Sequence, residues 1–189
     1  DVDNVIYLAG TKFGTQGNEP YTWIMNSFIP GLVVEQYKTS RIVALSTGCV
    51  YPLVDVNSGG SLESDQALPV GEYAQSCLGR ERLFQYGSME NKTPISLIRL
   101  NYAVEMRYGV LVDIALKVKN NKPVDVTMGY ANVIWQGDAN AFILRSLLMC
   151  ESPAKILNIT GLETISVKDV AIEFGQLMGK VSSWKANTF

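Results

Sequence analysis

Short apolar runs rich in β-branched residues alternate along this chain with stretches whose apolar residues fall at helical spacing, and that alternation restricts the fold more than any other feature. Residues 5–9 (VIYLA), 41–46 (RIVALS), 95–100 (ISLIRL) and 156–159 (ILNI) read as strands buried on both faces, with a shorter one at 124–126. Between them, 21–37 carries Trp23, Ile24, Phe28, Leu32, Val33 and Tyr37 at helical spacing, with Pro30 and Gly31 weakening or kinking that helix. Further helices are expected over 71–89 and 108–119, and from a cap at Asp138 to about residue 150. Ser166 and Asp169 open a last one, with Val167, Val170, Ala171, Phe174, Leu177 and Met178 on one face and Gly179 at its end. Strands alternating with helices in this way imply an α/β fold, a Rossmann-like doubly wound parallel sheet covered on both faces.

The chain of 189 residues, 47% of them hydrophobic, is long enough to bury one sizeable core, or a core plus a small lobe. Sixteen basic against 18 acidic residues leave a net charge of -2, which supplies no field for nucleic acid or an anionic membrane surface. Histidine is absent, which removes the serine-histidine and cysteine-histidine mechanisms and the commonest zinc sites. Cys49, Cys77 and Cys150 are odd in number and lack metal-ligand spacing, as expected of reduced thiols in the cytoplasm. No metal is expected, and acid/base chemistry must use Tyr, Asp, Glu, Cys or Lys. With no apolar run of membrane-spanning length and no positive leader, the expectation is a soluble, cytoplasmic protein.

Gly10, Gly14 and Gly17 invite a phosphate-loop reading, but G-x3-G-x2-G is not the G-x-G-x-x-G of dinucleotide folds and no acidic residue ends the next strand. The segment reads as an ordinary glycine-rich loop. The long polar stretch that follows residue 46, with Asn57-Ser58-Gly59-Gly60-Ser61, is of a length that is often functional.

VIYLAG at 5–10, STGCVYP at 46–52, YAQSC at 73–77 and IRLNY at 98–102, taken in that order, resemble segments of the extended short-chain dehydrogenase/reductase family, the epimerase and dehydratase group. VIYLAG at 5–10 resembles its fourth strand, where Leu8, Ala9 and Gly10 would pass beside the cofactor, and Asn26 falls at the family's helical asparagine. Ser46-Thr47-Gly48-Cys49-Val50-Tyr51-Pro52 resembles S-S/T-x-x-V-Y-G, which makes Thr47 the hydroxyl that polarises the substrate. Tyr73-Ala74-Gln75-Ser76-Cys77 with Glu81 and Phe84 resembles Y-x-x-S-K-x-x-x-E-x-x-F, so that Tyr73 is the acid/base and Cys77 stands where the family has a ribose-binding lysine. A phenol ionises near pH ~10, and a tyrosine base needs a cation beside it. Cysteine supplies none, leaving Arg80, one further turn along the helix, or the nicotinamide itself. Ile98-Arg99-Leu100-Asn101-Tyr102 resembles L-R-x-x-N with the asparagine one place early, which assigns Asn101 and Tyr102 to substrate. Asn158-Ile159-Thr160-Gly161 through Ser166-Val167 resembles the border of the family's small lobe.

The resemblance implies residues 1–105 as the C-terminal part of an NAD(P)-binding Rossmann domain and 106–189 as a mixed region reaching into the substrate lobe. The family's first two strand-helix units, with their glycine-rich cofactor loop, have no counterpart, so the chain is expected to be a fragment. NAD or NADP, a small-molecule substrate and a homodimer through helices 21–37 and 71–89 follow by resemblance. Ala131 replaces the arginine that grips a sugar-nucleotide diphosphate, and Gly48-Cys49 replaces an Asp-Glu pair of the dehydratases. Three readings stay open: an oxidoreductase or epimerase; a non-catalytic NAD(P)-binding sensor or partner-binding protein; and a flavodoxin-like domain without a nicotinamide.

Overall fold

The structure, a computed structural model, describes residues 2–12 and 14–186. Four strands, β1 (Asn4–Tyr7), β2 (Arg41–Thr47), β3 (Ile95–Leu100) and β8 (Lys155–Ile159), form one sheet in the order β1-β2-β3-β8, all parallel. The fold is α/β and Rossmann-like. The chain divides into two compact units, one of residues 1–100 with Asn140–Ile159, the other of Asn101–Ala139 with 160–189.

In the first unit, register places Ile42 beside Ile95 and Ala44 beside Tyr7, Leu97 and, through Leu97, Ile156. These apolar rows are capped by Phe84 from α3 (Gly71–Asn91) and Val34 from α2 (Ile29–Gln36). The next row on that face is polar: Ser46, Arg99 and Asn158 stand side by side on β2, β3 and β8. One face of α3 matches this change. Phe84 lies on the apolar rows, Glu81 one turn earlier meets the polar row, and Cys77 and Tyr73 continue toward the C-terminal strand ends.

The expected helix over 21–37 is α1 (Glu19–Trp23), a π-turn (Ile24–Phe28) and α2. The π-turn has an identifiable cause. Pro30 has no N–H to give the Asn26 carbonyl four residues back, and the Nε of Arg80 donates to that carbonyl instead (3.3 Å). Small residues let these helices approach α3: a Cβ on Gly79 would run into Ser27, and one on Gly87 into Val34.

The second unit is built on α4 (Val110–Lys119) and α6 (Val167–Met178), packed around Ile114, Val118, Val124, Val167 and Ala171. Its strands are short pairs: β5 (Val124–Asp125) with β10 (Trp184–Lys185), β4 (Ala103–Val104) with β7 (Ile134–Trp135), and β6 (Tyr130–Asn132) with β9 (Thr164–Ser166). Ser166 caps α6 by accepting the Asp169 N–H (3.2 Å), and Gly179 ends it at φ +62°, as expected. Asp138 is not a cap. α5 (Gln136–Arg145) begins two residues before it, so Asp138 lies in the first turn, where its charge suits the helix dipole.

Gly87→Ala gains helix propensity of about 1 kcal/mol but must displace a packed valine at a cost of about 1–3 kcal/mol. A net loss of stability is expected, shrinking or reversing when Val34→Ala makes room; urea unfolding of the two single variants and the double variant checks it.

Candidate functional site

Thr47 ends β2, and its hydroxyl oxygen accepts the Cys49 N–H (3.2 Å) as the chain enters a single 3-10 turn (Gly48–Val50). The Tyr73 hydroxyl lies close enough to the Thr47 hydroxyl and the Cys77 thiol for both to act on its ionisation. Thr47 is buried, Tyr73 half-buried and Cys77 only 1% exposed. The structure therefore brings Thr47 of one sequence motif to Tyr73 and Cys77 of another.

Burial first, and then the Cys77 thiol beside it, push the Tyr73 phenol far above its ordinary value, against the downward pull of the Thr47 hydroxyl. Burial likewise raises the Cys77 thiol, partly offset by the Arg80 guanidinium. Among the described residues, none of the principal groups acting on Tyr73 is a cation.

Arg80 is turned elsewhere. It is 6% exposed; Nη1 donates to the Leu45 carbonyl (2.7 Å), Nη2 to Asn26 Oδ1 (2.8 Å), and the guanidinium lies 5.7 Å from the Tyr7 ring centroid. Asn26 is fully buried in the π-turn and saturated. Its Oδ1 also accepts the Thr11 N–H (2.8 Å), and its Nδ2 donates to the Thr11 carbonyl (2.9 Å) and Ser76 Oγ (3.0 Å). Asn26 thus clips the chain leaving β1 onto α3.

Leu8, Ala9 and Gly10 follow β1 as exposed chain. A side chain on Gly10 would collide with Arg80, so glycine there answers packing. Gly14 and Gly17 have positive φ (+68° and +76°) and open space around them, in keeping with an ordinary loop; Phe13 is outside the described residues. Ser46 is committed to Glu81, donating to Oε1 (2.6 Å). Asn101 and Tyr102 open the second unit, where the Tyr102 carbonyl accepts the Ile134 N–H (3.1 Å). Ala131 is buried there in β6, opposite Ile165 of β9.

Sequence reasoning named Glu81 and Arg99 only as motif letters and missed their pairing. Arg99 donates to Glu81 through Nη2 (2.7 Å) and Nε (3.0 Å), with Glu81 0% and Arg99 4% exposed. Arg99 Nη1 donates to Tyr51 Oη (2.6 Å), and Tyr51 donates to Asn158 Oδ1 (2.9 Å). The available signal was an arginine inside the buried strand ISLIRL, which cannot remain there unpaired. A surface hollow lined by Asp3, Asn4, Thr39, Arg41 and Pro94 lies at the opposite ends of β1 and β2 and holds none of these residues. No group of three or more potential metal ligands, and no helix long and apolar enough to cross a membrane, occurs among the described residues.

No family model matches the chain, and no curated protein sequence does either. Solved structures do match. UDP-glucuronic acid 4-epimerase from Bacillus cereus, in complex with NAD, superposes with a TM-score of 0.84 at 18% identity, over 100% of this chain and 64% of the epimerase. RMD from Pseudomonas aeruginosa, complexed with NADPH, gives 0.81 at 16% identity, over 98% of this chain and 69% of that one. A UDP-galactose 4-epimerase gives 0.77 at 18%, over 98% and 65%. The chain shares the fold of these proteins and spans about two thirds of their length.

Tyr73 and Cys77 hold their protons more tightly folded than unfolded. Their contribution is therefore fully present below the unfolded values, about 8.5 for a thiol and about 10 for a phenol, and is lost as pH rises past them. Urea unfolding from pH 8 to 11 should show stability falling through this window, with a shallower fall in Tyr73→Phe.

Proposed function

We propose that this chain forms the larger part of an NAD(P)-dependent oxidoreductase or epimerase that moves hydride between nicotinamide and a carbinol carbon of a small-molecule, sugar-like substrate. The observation that carries the reading is the meeting of the Thr47 and Tyr73 hydroxyls at the C-terminal end of β2, in a fold shared with proteins solved with NAD or NADPH. In open α/β sheets ligands lie across the C-terminal strand ends. The exposed chain at Leu8, Ala9 and Gly10 suits a flat ring laid against the end of β1.

When bound, the nicotinamide supplies the hydride donor or acceptor. The Thr47 hydroxyl polarises the substrate oxygen, and Tyr73 exchanges its proton. Asn26, with its amide fully committed, positions the Thr11 backbone and α3. Ser46 contributes through Glu81 as part of the site's wall. Asn101 and Tyr102 are assigned to substrate. Buried Ala131 and the Gly48-Cys49 pair favour a carbinol substrate that needs neither a guanidinium grip on a diphosphate nor dehydration.

The phenol held in its neutral form, with a thiol in place of a cation, favours a second reading: a nicotinamide-binding protein that does not turn over. NADH fluorescence titrations and hydride assays on the intact protein separate the two. For the enzyme, Tyr73→Phe is expected to cut turnover by about 10²–10⁴-fold with NADH binding retained, and Cys77→Lys to raise activity at neutral pH. Turnover that survives Tyr73→Phe removes the acid/base assignment; NADH binding without turnover in the wild type, with activity only in Cys77→Lys, supports the second reading.

A homodimer through helices 21–37 and 71–89 is part of the proposal. Tyr21, Ile24, Phe28 and Leu32 recur every three or four residues at 47–56% exposure, and Tyr86 and Met89 of α3 are more than half exposed. An apolar surface of this kind calls for a partner. Light scattering at micromolar concentration should give twice the chain mass for the wild type and the monomer mass for Phe28→Arg.

A further inference from the structure

The segment from Tyr51 to Val70 leaves the site from Thr47 through the 3-10 turn and returns to it at α3, two residues before Tyr73. Its two ends are thus fixed to the strand and the helix that carry the two hydroxyls. Most of its hydrogen bonds are local. The Asp55 carboxylate accepts the Asn57 N–H (2.8 Å), the Asp65 carboxylate accepts the Leu62 N–H (2.8 Å), and Leu68 N–H donates to the Val50 carbonyl (2.9 Å) to close the loop's base.

Apart from the bond of Arg99 to Tyr51 and the closure at Val50, its hydrogen bonds to the rest of the fold converge on one residue. Asn158, next to Arg99 on β8, accepts from Tyr51 Oη through Oδ1 (2.9 Å) and donates through Nδ2 to the Ser61 carbonyl (3.1 Å). Its main-chain N–H donates to Glu63 Oε1 (2.8 Å). β8 is an edge strand, so this N–H has no strand to pair with, and the Glu63 carboxylate occupies it. Among the described residues, every hydrogen bond from residues 52–65 to a group outside the loop ends on Asn158. The tether carries the loop from the end of β2, past β3, to the sheet edge.

We propose that Asn158 is the latch of this loop, a positioning residue that holds it across the strand ends beside the Thr47–Tyr73 pair. Through Tyr51 and Arg99 it joins the loop's closed position to the buried Glu81 on α3, the helix that carries Tyr73. The inference rests on the oxidoreductase reading only for what the loop covers; the latch itself is a property of the free protein.

Hydrogen exchange followed by mass spectrometry on the unliganded protein tests the latch. In Asn158→Ala, amides of residues 53–65 should exchange about tenfold faster, with α3 and β3 unchanged; in Tyr51→Phe, which removes one of the three bonds together with the one from Arg99 Nη1 and keeps the ring, those loop amides should speed up by a smaller factor. Unchanged exchange in 53–65 overturns the proposal. So does an equal rise across β3, β8 and α3, which would make Asn158 an ordinary structural residue of its strand. Neither result depends on nicotinamide chemistry, so failure of the latch and failure of the oxidoreductase reading are distinguishable. In a preparation that turns over, Tyr51→Phe should raise KM for substrate and leave NADH affinity unchanged; weaker NADH binding with KM unchanged would overturn the loop's place on the substrate side.

Discussion

The buried pair of Glu81 and Arg99 is the constraint on which the arrangement of the first unit depends. Both ions are out of water, and a buried pair is tolerated only when its geometry is good and its remaining hydrogen-bonding groups are used. Here they are: Glu81 takes the Ser46 hydroxyl and two nitrogens of Arg99, and Arg99 gives its other terminal nitrogen to Tyr51 while stacking on its ring at 4.6 Å. Burial works against the Arg99 charge, but hydrogen bonding and attraction to Glu81 outweigh it and hold the guanidinium above its ordinary value. Removing one partner would leave a buried charge alone, at a cost of about 3–5 kcal/mol. The pair therefore sets the rotation and height of α3 on the sheet, and Tyr73, two turns earlier on the same face, inherits its position.

A second buried cation shapes the other flank of α3. Arg80 has carbonyl and amide oxygens for partners rather than a carboxylate, and it consolidates three features: the Asn26 carbonyl freed by Pro30, the close passage of Gly10 and β2 at the Leu45 carbonyl. Its charge reaches the Cys77 thiol and the Tyr7 phenol but is not among the causes acting on Tyr73. Of the two sources of positive charge that the sequence left open for the tyrosine, the arginine one turn away is thus engaged in structure.

What was legible in the sequence follows from where side chains go. β2 and β3 were readable to within a residue because RIVALS and ISLIRL are buried on both sides, so apolarity and pairing end together. In VIYLA they do not. Pairing stops at Tyr7 opposite Ala44, and Leu8, 64% exposed, is apolar without being core. The helix expected from Tyr108 begins after Gly109, whose φ of +109° no helix accommodates. The π-turn was half legible: Pro30 announced a break, but not that a side chain 54 residues away would take up the freed carbonyl. The candidate site residues came from resemblance to family motifs, whereas the Ser46–Arg99–Asn158 row depends on strand register, which local periodicity does not encode.

The same helix carries the determinants of the fold and the residues assigned to the proposed chemistry, and they are physically separable. Gly79, Glu81, Phe84 and Gly87 fix α3 against its neighbours, while Tyr73 and Cys77 lie in its first two turns, beside the end of β2. Cys77 is 1% exposed, and a neutral thiol fills that space without desolvating an ion. A lysine in its place would have to keep its ammonium partly hydrated or paired, and it would stand one turn from Arg80, whose partners include no carboxylate. Stability alone therefore favours cysteine, and a cation at position 77 has to be justified by what it does to the phenol beside it. Position 77 thus bears on the protonation of Tyr73, whereas Gly79, Glu81, Phe84 and Gly87 hold the helix, the sheet and the polar row in place.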